Sequence, residues 1–271
     1  MNNGAKVRAV ANQKGGVGKT TTAINLGTSL AMAEQRVLLV DLDPQANLTS
    51  GVGLKGQSAP GGTIYQALTT DPEDVSQFVL STAVQGLSLI PADRNLTGAE
   101  IDLVMLPQRE HRLRTSLDRL RDRFDYILID TPPSLGLLTL NALVAADAVF
   151  IPLNCEYFAL EGLADLVATL RRVRAAFNPS LDIAGVLMTM YDERTNLGQQ
   201  VSRDIRAFFQ DRVFNTVIPR NIRLGEAPSH GIPAILYDVK SRGAEAYLAL
   251  AREVLARDGT AAPITTEPQH G

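Results

Sequence analysis

Cysteine is nearly absent from this chain. Cys155 is the only cysteine among 271 residues. A single thiol excludes a disulfide within the chain and a zinc site built from several thiolates. Such low cysteine usage is typical of the reducing cytosol, and we therefore expect a cytoplasmic protein.

Long apolar segments are missing as well. The first six residues, MNNGAK, lack the apolar stretch of a secretory signal, and Asn2 stands where myristoylation requires glycine. Asp147 interrupts the most apolar stretch near the middle of the chain. No run approaches the ~18 apolar residues of a membrane-spanning helix. The sequence therefore predicts no membrane partner.

The chain also lacks an excess of positive charge. Its 26 Lys and Arg against 29 Asp and Glu give a formal net charge of −3. This excludes a basic coat that binds nucleic acid over the whole surface, but it allows a local basic patch. Apolar residues make up 45% and charged residues 20%, which is typical of a chain with a sizeable buried core.

The sequence does contain short apolar runs that alternate with longer segments of helical periodicity. The apolar runs predict strands at residues 7–12, 37–41, 87–91, 126–130, 148–153 and 183–190. The periodic segments predict helices at residues 20–33, 97–105, 111–123, 160–177, 196–209 and 243–256. This order predicts an α/β fold with a doubly wound, mostly parallel sheet and helices on both faces.

Two stretches show neither pattern. Residues 51–62 contain five Gly and one Pro, which predicts a surface loop. Residues 259–271 have no periodicity and predict a disordered tail. We therefore expect residues 1–258 to form a single domain.

The most informative segment runs from Gln13 to Thr20, between the first predicted strand and the first predicted helix. Its glycines let backbone N–H groups converge on phosphate oxygens, and the helix N-terminus adds its dipole. Lys19 can reach the β- and γ-phosphates, and the Thr20 hydroxyl can bind Mg²⁺. The alternative is a glycine-rich turn that binds nothing, and Gly-Lys-Thr in this context argues against it.

This loop departs from the plain P-loop pattern, because Gln13 replaces the first glycine and Lys14 adds a second lysine. In this respect it resembles P-loop NTPases of the deviant Walker A type, and among them the ParA/Soj partitioning ATPases. The resemblance extends over nearly the whole chain. The segments that carry it are ANQKGGVGKTTTAINL (11–26), DLDPQANLT (41–49), YILIDTPPSLG (126–136), MTMYDERTNLG (188–198), VIPRNIRLGEAPSHG (217–231) and YDVKSRGAEAYLALA (237–251).

The resemblance implies that ATP and Mg²⁺ are the cofactors. The phosphate-binding residues are then Lys14, Gly15, Gly16, Val17, Gly18, Lys19, Thr20 and Thr21. It also implies that Lys14 reaches across a homodimer to the nucleotide of the other subunit, which links ATP binding to dimerisation. The alternative role of Lys14 is a phosphate contact within its own subunit.

Aspartates follow two predicted strands at the edge where doubly wound sheets bind ligands. Asp130 stands where a Walker B carboxylate orients Mg²⁺, with helix capping as its alternative role. Asp41 and Asp43 both follow the second strand, and their spacing alone does not choose between them. The family resemblance assigns Asp43 to the attacking water, as a catalytic residue beside Lys14 and Lys19. It leaves Asp41 a structural role.

The resemblance further implies adenine contacts at Pro219 and Asn221, and an asparagine side chain offers the donor and the acceptor that suit an adenine edge. A turn held by structural hydrogen bonds is the alternative for this segment. The resemblance also implies that Arg194, Arg223 and Arg242 contact DNA phosphates without reading bases. Composition alone does not predict DNA binding.

The leading hypothesis is a DNA-segregation switch. In it, an ATP-bound sandwich dimer binds double-stranded DNA non-specifically, and hydrolysis stimulated by a ParB-type centromere-binding protein releases it. Such an ATPase is slow by itself and associates with the nucleoid. The alternative is a MinD-like membrane-associated ATPase of division-site placement, but residues 261–268 carry too little apolar surface for an anchor. A reductase of the nitrogenase iron-protein type needs two thiolates per chain, and only Cys155 exists.

Overall fold

The computed structural model describes residues 4–156 and 159–259. Within these residues, seven strands form one sheet in the order β3-β4-β2-β5-β1-β6-β7. All neighbouring strands run parallel except β3, which is antiparallel to β4. The strands are β1 (Lys6–Val10), β2 (Val37–Asp41), β3 (Leu80–Ser81), β4 (Leu87–Ile90), β5 (Tyr126–Asp130), β6 (Ala148–Asn154) and β7 (Asp182–Thr189).

The helices connect these strands. They are α1 (Lys19–Met32), α2 (Asn47–Gly51), α3 (Ile64–Thr69), α4 (Leu96–Val104), α5 (Arg112–Asp118), α6 (Leu137–Ala145), α7 (Ala159–Ala176), α8 (Asn196–Phe209), α9 (Ile222–Glu226), α10 (Ala234–Tyr237) and α11 (Arg242–Arg257). Short 3₁₀ turns lie at Val75–Phe78, Arg121–Arg123, Gln210–Arg212 and Ala227–His230.

The core lies on both faces of the sheet. Side chains alternate across a strand, so Ile127 and Ile129 of β5 pack into one apolar cluster while Leu128 packs into the other. The first cluster includes residues of α4, α5, α6 and α7, and the second includes residues of α1 and α11. The predicted doubly wound α/β fold with helices on both faces is therefore confirmed.

Most predicted elements lie within two residues of the observed ones, and the strands at residues 37–41 and 126–130 agree at both ends. The helix predicted over residues 111–123 is wrong in its second half. It ends at Asp118, and the N–H groups of Leu120 and Arg123 bond to carbonyls three residues earlier, which tightens the chain into a 3₁₀ turn before β5. The tail predicted from residue 259 lies outside the described residues beyond Gly259.

The missed helix α6 has a physical explanation. Seven of its nine residues are buried, so it has no polar face and no helical periodicity in its sequence. It follows β5 directly through the turn at residues 131–136. β1 and β5 are parallel neighbours in the sheet, so both strands end at the same edge. Each strand leads into a helix there.

A candidate nucleotide site at the ends of the parallel strands

The loop after β1 has the backbone geometry of a phosphate cradle. Gly16 and Gly18 have backbone φ values of 73° and 86°, which residues other than glycine rarely adopt. Nothing lies within 4 Å of where a Cβ of Gly15 or Gly16 would sit, so the loop faces open space. Gly18 caps α1 without a side-chain hydrogen bond, which leaves N–H groups of the first helical turn available to an anion.

Two side chains, those of Asn12 and Thr189, tie this loop to strands β6 and β7. The Asn12 side chain accepts a hydrogen bond from the Lys14 N–H at 3.0 Å and donates one to the Pro152 carbonyl at 2.8 Å. The Thr189 hydroxyl donates to the Val17 carbonyl at 2.8 Å. Sequence reasoning missed the roles of Asn12 and Thr189, although each is a buried polar residue at or just after a strand end.

The Lys19 side chain is directed into this loop. Lys19 is only 7% exposed, and its Nζ donates to the Lys14 carbonyl at 3.2 Å. Burial lowers the pKa of Lys19, while the nearby carboxylates of Asp130 and Asp43 oppose that shift. A partly desolvated ammonium group in an open loop is a strong counter-charge for a phosphate.

Thr20 and Asp130 form the second part of the site. The Thr20 hydroxyl donates to Asp130 Oδ2 at 2.7 Å, while Asp130 Oδ1 is buried and has no hydrogen-bond partner among the described residues. Burial raises the pKa of Asp130 well above its usual range, and the negative charge of Asp41 raises it further. An unsatisfied buried carboxylate oxygen beside a hydroxyl is a donor set that suits Mg²⁺.

This donor set is small. In the part of the chain that the structure describes, no group of three or more His, Cys, Asp or Glu residues could hold a metal ion. Mg²⁺ commonly takes one or two protein ligands, and waters and substrate phosphates complete its octahedral shell. Thr20 and Asp130 therefore fit a metal that is bound together with a nucleotide.

The two aspartates after β2 have different surroundings. Asp41 is fully buried and accepts hydrogen bonds from the Thr49 N–H at 2.8 Å and the Thr49 hydroxyl at 2.6 Å. Burial raises the pKa of Asp41 to about 6, against these hydrogen bonds. Asp43 lines the cavity beside the phosphate loop, and its Oδ1 accepts from the Gln45 N–H at 2.9 Å. Of the two carboxylates, the one in contact with the cavity is Asp43.

A cavity of about 550 Å³ extends from the phosphate loop to the segment after β7, and we call it the phosphate-loop cavity. It brings together residues that are distant in sequence. Its walls include Gly15, Gly16, Gly18, Lys19, Thr20, Thr21, Asp43, Met190, Pro219, Arg220, Asn221, Leu224 and Tyr247. Lys14, Val17 and Asp130 are not among the residues that line it. The side-chain Oδ1 of Asn221 caps α9 by accepting from the Arg223 N–H at 2.9 Å.

Lys14 has a different environment from Lys19. Its Nζ lies 2.6 Å from Glu156 Oε2, in an ion pair that is open to solvent on both sides. This contact lowers the pKa of Glu156. Sequence reasoning gave Glu156 no role, because 142 residues separate it from Lys14.

Of the three arginines predicted to contact DNA, two line one cavity and the third does not. Arg194 and Arg242 line a second cavity of about 480 Å³, which we call the arginine cavity and which also includes Arg220. Arg194 is paired through two nitrogens with Asp192, at 2.8 and 2.6 Å. Arg223 lines neither cavity and is held by Glu226 at 2.7 Å and Asp238 at 3.3 Å.

The chain is similar to known proteins over most of its length. The family described as AAA domain matches residues 5–183. The chromosome partitioning protein ParA of Myxococcus xanthus is 53% identical over 258 residues, covering 95% of this chain and 90% of that protein. The sporulation initiation inhibitor protein Soj of Bacillus subtilis is 55% identical over 251 residues, covering 93% of this chain and 98% of that protein.

A solved structure shows what this fold can hold. Cobyrinic acid a,c-diamide synthase from Mycobacterium smegmatis, with a bound ATP analogue and magnesium, superposes with a TM-score of 0.81. It is 39% identical, and the match covers 94% of this chain and 96% of that one. The sheet, the phosphate loop and the extent of identity lead to one assignment: the chain belongs to the ParA/Soj family and has the fold of MinD/ParA-type P-loop ATPases.

Proposed function

We propose that the chain is an ATP-dependent DNA-segregation switch. The observation that carries the proposal is the Thr20–Asp130 hydrogen bond with its unsatisfied Asp130 Oδ1, beside Lys19 in an open phosphate loop. In this arrangement the loop N–H groups and Lys19 would bind the phosphates, and Thr20 and Asp130 would hold Mg²⁺. Bound Mg²⁺ supplies charge neutralisation at the phosphate oxygens.

The remaining residues of the phosphate-loop cavity have distinct proposed roles. Asp43 orients the water that attacks the terminal phosphorus, and Lys19 stabilises the charge that develops on the departing oxygens. Pro219 and Asn221 contact the adenine base. The side-chain Oδ1 of Asn221 already caps α9, so the side-chain Nδ2 is the group left to donate to a ring nitrogen.

Dimerisation rests on Lys14. Its ammonium group lies outside the phosphate-loop cavity and is paired with the exposed Glu156. Exposed ion pairs contribute only about 0–1 kcal/mol, so this contact can be exchanged for the phosphates of a second subunit. We propose that each Lys14 neutralises the nucleotide held by its partner, which makes the homodimer dependent on ATP.

The dimer would place two copies of the arginine cavity on one molecule. Arg194, Arg223 and Arg242 would then bind phosphates of double-stranded DNA without sequence preference. The family membership supports a partitioning role and a ParB-type centromere-binding protein as the partner that stimulates a slow hydrolysis. This role implies a cytoplasmic, nucleoid-associated protein. Separately, no helix in the described residues is long and apolar enough to cross a membrane.

The proposal is tested by mobility shift on a random-sequence duplex with ATP, with ADP and without nucleotide, beside an ATP hydrolysis assay. We expect a shift with ATP alone, and a hydrolysis rate that DNA and a ParB-type protein increase. Lys19→Ala is the matched negative control, because it removes the principal counter-charge and should abolish both signals. A duplex shift that is equal in all three nucleotide conditions would refute the switch.

A further inference from the structure

Residues 218–222 border both cavities. Pro219 and Arg220 line both of them, while Asn221 lines the phosphate-loop cavity and Ile222 lines the arginine cavity. A movement of this segment caused by a ligand in one cavity would therefore alter the wall of the other cavity.

The segment is also tied to the loop that carries Arg194. The Tyr191 N–H donates to the Ile218 carbonyl at 3.0 Å, and Tyr191 and Pro219 form a parallel β-bridge. On the other side of the segment, Asn221 begins helix α9, whose Leu224 lines the phosphate-loop cavity. A displacement of residues 218–222 would therefore move the walls of both cavities.

Arg220 differs from Arg194 and Arg223 in its charge environment. Its side chain is exposed, and it has no ion pair or side-chain hydrogen bond with the described residues. Arg194 and Arg223, by contrast, are held by their own acidic neighbours. Among the described residues, the Arg220 guanidinium group thus has no acidic partner, and it lies where the two cavities meet.

Two ion pairs flank that guanidinium group. The pKa of Glu156 is lowered mainly by its hydrogen bond from Lys14, and the pKa of Asp192 is lowered to about 2, mainly by its hydrogen bond from Arg194. In both cases the positive charge of Arg220 lowers the pKa further. Arg220 therefore lies within electrostatic reach of the ion pair next to the phosphate loop and of the ion pair in the arginine cavity.

We propose that Arg220 couples the two cavities: it contacts DNA phosphate in the arginine cavity, and the nucleotide in the phosphate-loop cavity sets its position. This inference rests on the proposed function, and it adds a positioning residue to it. Coupling between two binding sites is reciprocal, so DNA must in turn strengthen nucleotide binding through Arg220. A plain phosphate contact such as Arg242, which lines only the arginine cavity, has no such reciprocal effect.

The test compares Arg220→Ala, Arg220→Lys and Arg242→Ala with a control, Arg252→Ala. Arg252 is an exposed arginine of α11 that lines neither cavity. Each variant is loaded with a fluorescent, hydrolysis-resistant ATP analogue, and its dimer is verified by light scattering. DNA affinity is then measured across salt concentrations on a random-sequence duplex. The release rate of the analogue is measured without DNA and with saturating DNA.

For Arg220→Ala we expect an intact analogue-bound dimer, a roughly tenfold loss of DNA affinity and a salt slope reduced by about 1.8, because a dimer loses two phosphate contacts. Arg220→Lys should regain most of the affinity. Saturating DNA should slow analogue release in Arg242→Ala by the same factor as in the wild type. In Arg220→Ala that factor should fall severalfold.

Two results would overturn the inference. One is normal DNA affinity in Arg220→Ala, which would give Arg220 no role at the DNA. The other is an equal slowing of analogue release in Arg220→Ala and Arg242→Ala, which would make Arg220 a phosphate contact without coupling. Failure of the proposed function is distinguishable from both, because the analogue-bound wild type would then bind no DNA.

Discussion

Lys14 and Lys19 stand five residues apart, and their ammonium groups point to different partners. Lys19 Nζ donates to the backbone carbonyl of Lys14 at 3.2 Å, inside the phosphate loop. Lys14 Nζ leaves the loop and pairs with Glu156 Oε2 at 2.6 Å. One loop therefore presents a buried cation to its own cavity and an exposed cation to the surroundings, and the roles proposed for the two lysines follow from this difference.

Substitution of Lys14 should separate ATP binding from dimerisation. Lys14→Ala leaves Lys19 and the loop N–H groups in place, so ATP affinity should fall by less than about fivefold, as expected for an exposed charge contact. The dimer seen with a hydrolysis-resistant ATP analogue should be lost. Light scattering measures the mass, and Lys55→Ala, on the loop after α2, serves as a surface-lysine control. A variant that still dimerises with the analogue would show that Lys14 acts within its own subunit.

Substitution of Asp43 should arrest hydrolysis after ATP has bound. Asp43→Ala removes the carboxylate that lines the phosphate-loop cavity, and the hydrolysis rate should fall by roughly 10² or more. ATP affinity and the ATP-dependent dimer should persist, since both lysines remain. Phosphate release and light scattering on the same sample measure the two properties. A wild-type hydrolysis rate would show that Asp43 does not orient the attacking water, and Asp41 would be the next candidate.

Charge reversal in the proposed DNA surface should abolish DNA binding but not the dimer. Arg194→Glu places a second carboxylate beside Asp192, and Arg223→Glu places one beside Glu226 and Asp238. We expect a loss of DNA affinity of at least tenfold for each, because the dimer carries every substitution twice. Mobility shift, run beside a dimerisation assay, distinguishes loss of contact from misfolding. Normal DNA binding by both variants would remove these arginines from the interface.

Removal of the Thr49 hydroxyl should destabilise the fold in a pH-dependent way. Thr49→Val deletes a hydrogen bond to Asp41 and the acceptor of the Ala92 N–H, so we expect a loss of about 1–3 kcal/mol in the free energy of unfolding at pH 8. Thr49→Ser keeps the hydroxyl and is the control.

The sign of the pH effect follows from Asp41. Burial raises the pKa of Asp41 to about 6 in the folded chain, above its ordinary value of 3.8. The ionised group therefore destabilises the fold above about pH 6, and this cost disappears as the pH falls toward 3.8. The loss in Thr49→Val should accordingly be smaller at pH 5 than at pH 8 in urea unfolding. An equal loss at both pH values would mean that the hydroxyl does not stabilise the charge of Asp41.

The parts of the site that sequence could predict are those carried by contiguous residues. The phosphate loop needs glycines at fixed positions for its left-handed φ values. Residues 13–20 alone therefore predict a phosphate-binding loop. The position of Asp130 at the ligand-binding edge could be predicted from the sequence for a related reason. It ends a run of four apolar residues in a buried parallel strand, and such strands end at the ligand-binding edge.

The parts that sequence could not predict depend on contacts between distant segments. The spacing of Asp41 and Asp43 does not reveal that Thr49 folds back over Asp41 while Asp43 lines the phosphate-loop cavity. The partner of Lys14 lies 142 residues away, and Arg220 gains its position from a wall shared by two cavities. The ion pairs of Arg223 with Glu226 and Asp238 likewise do not follow from its spacing from Arg194.

The central claim is that ATP assembles a dimer and that this dimer binds DNA. Sedimentation velocity of the full chain tests it most directly, with a labelled random-sequence duplex and with no nucleotide, ADP or a hydrolysis-resistant ATP analogue. The account predicts a monomer and free duplex in the first two conditions, and a dimer that carries the duplex in the third. A monomer with the analogue, or an analogue-bound dimer that leaves the duplex free, would contradict it.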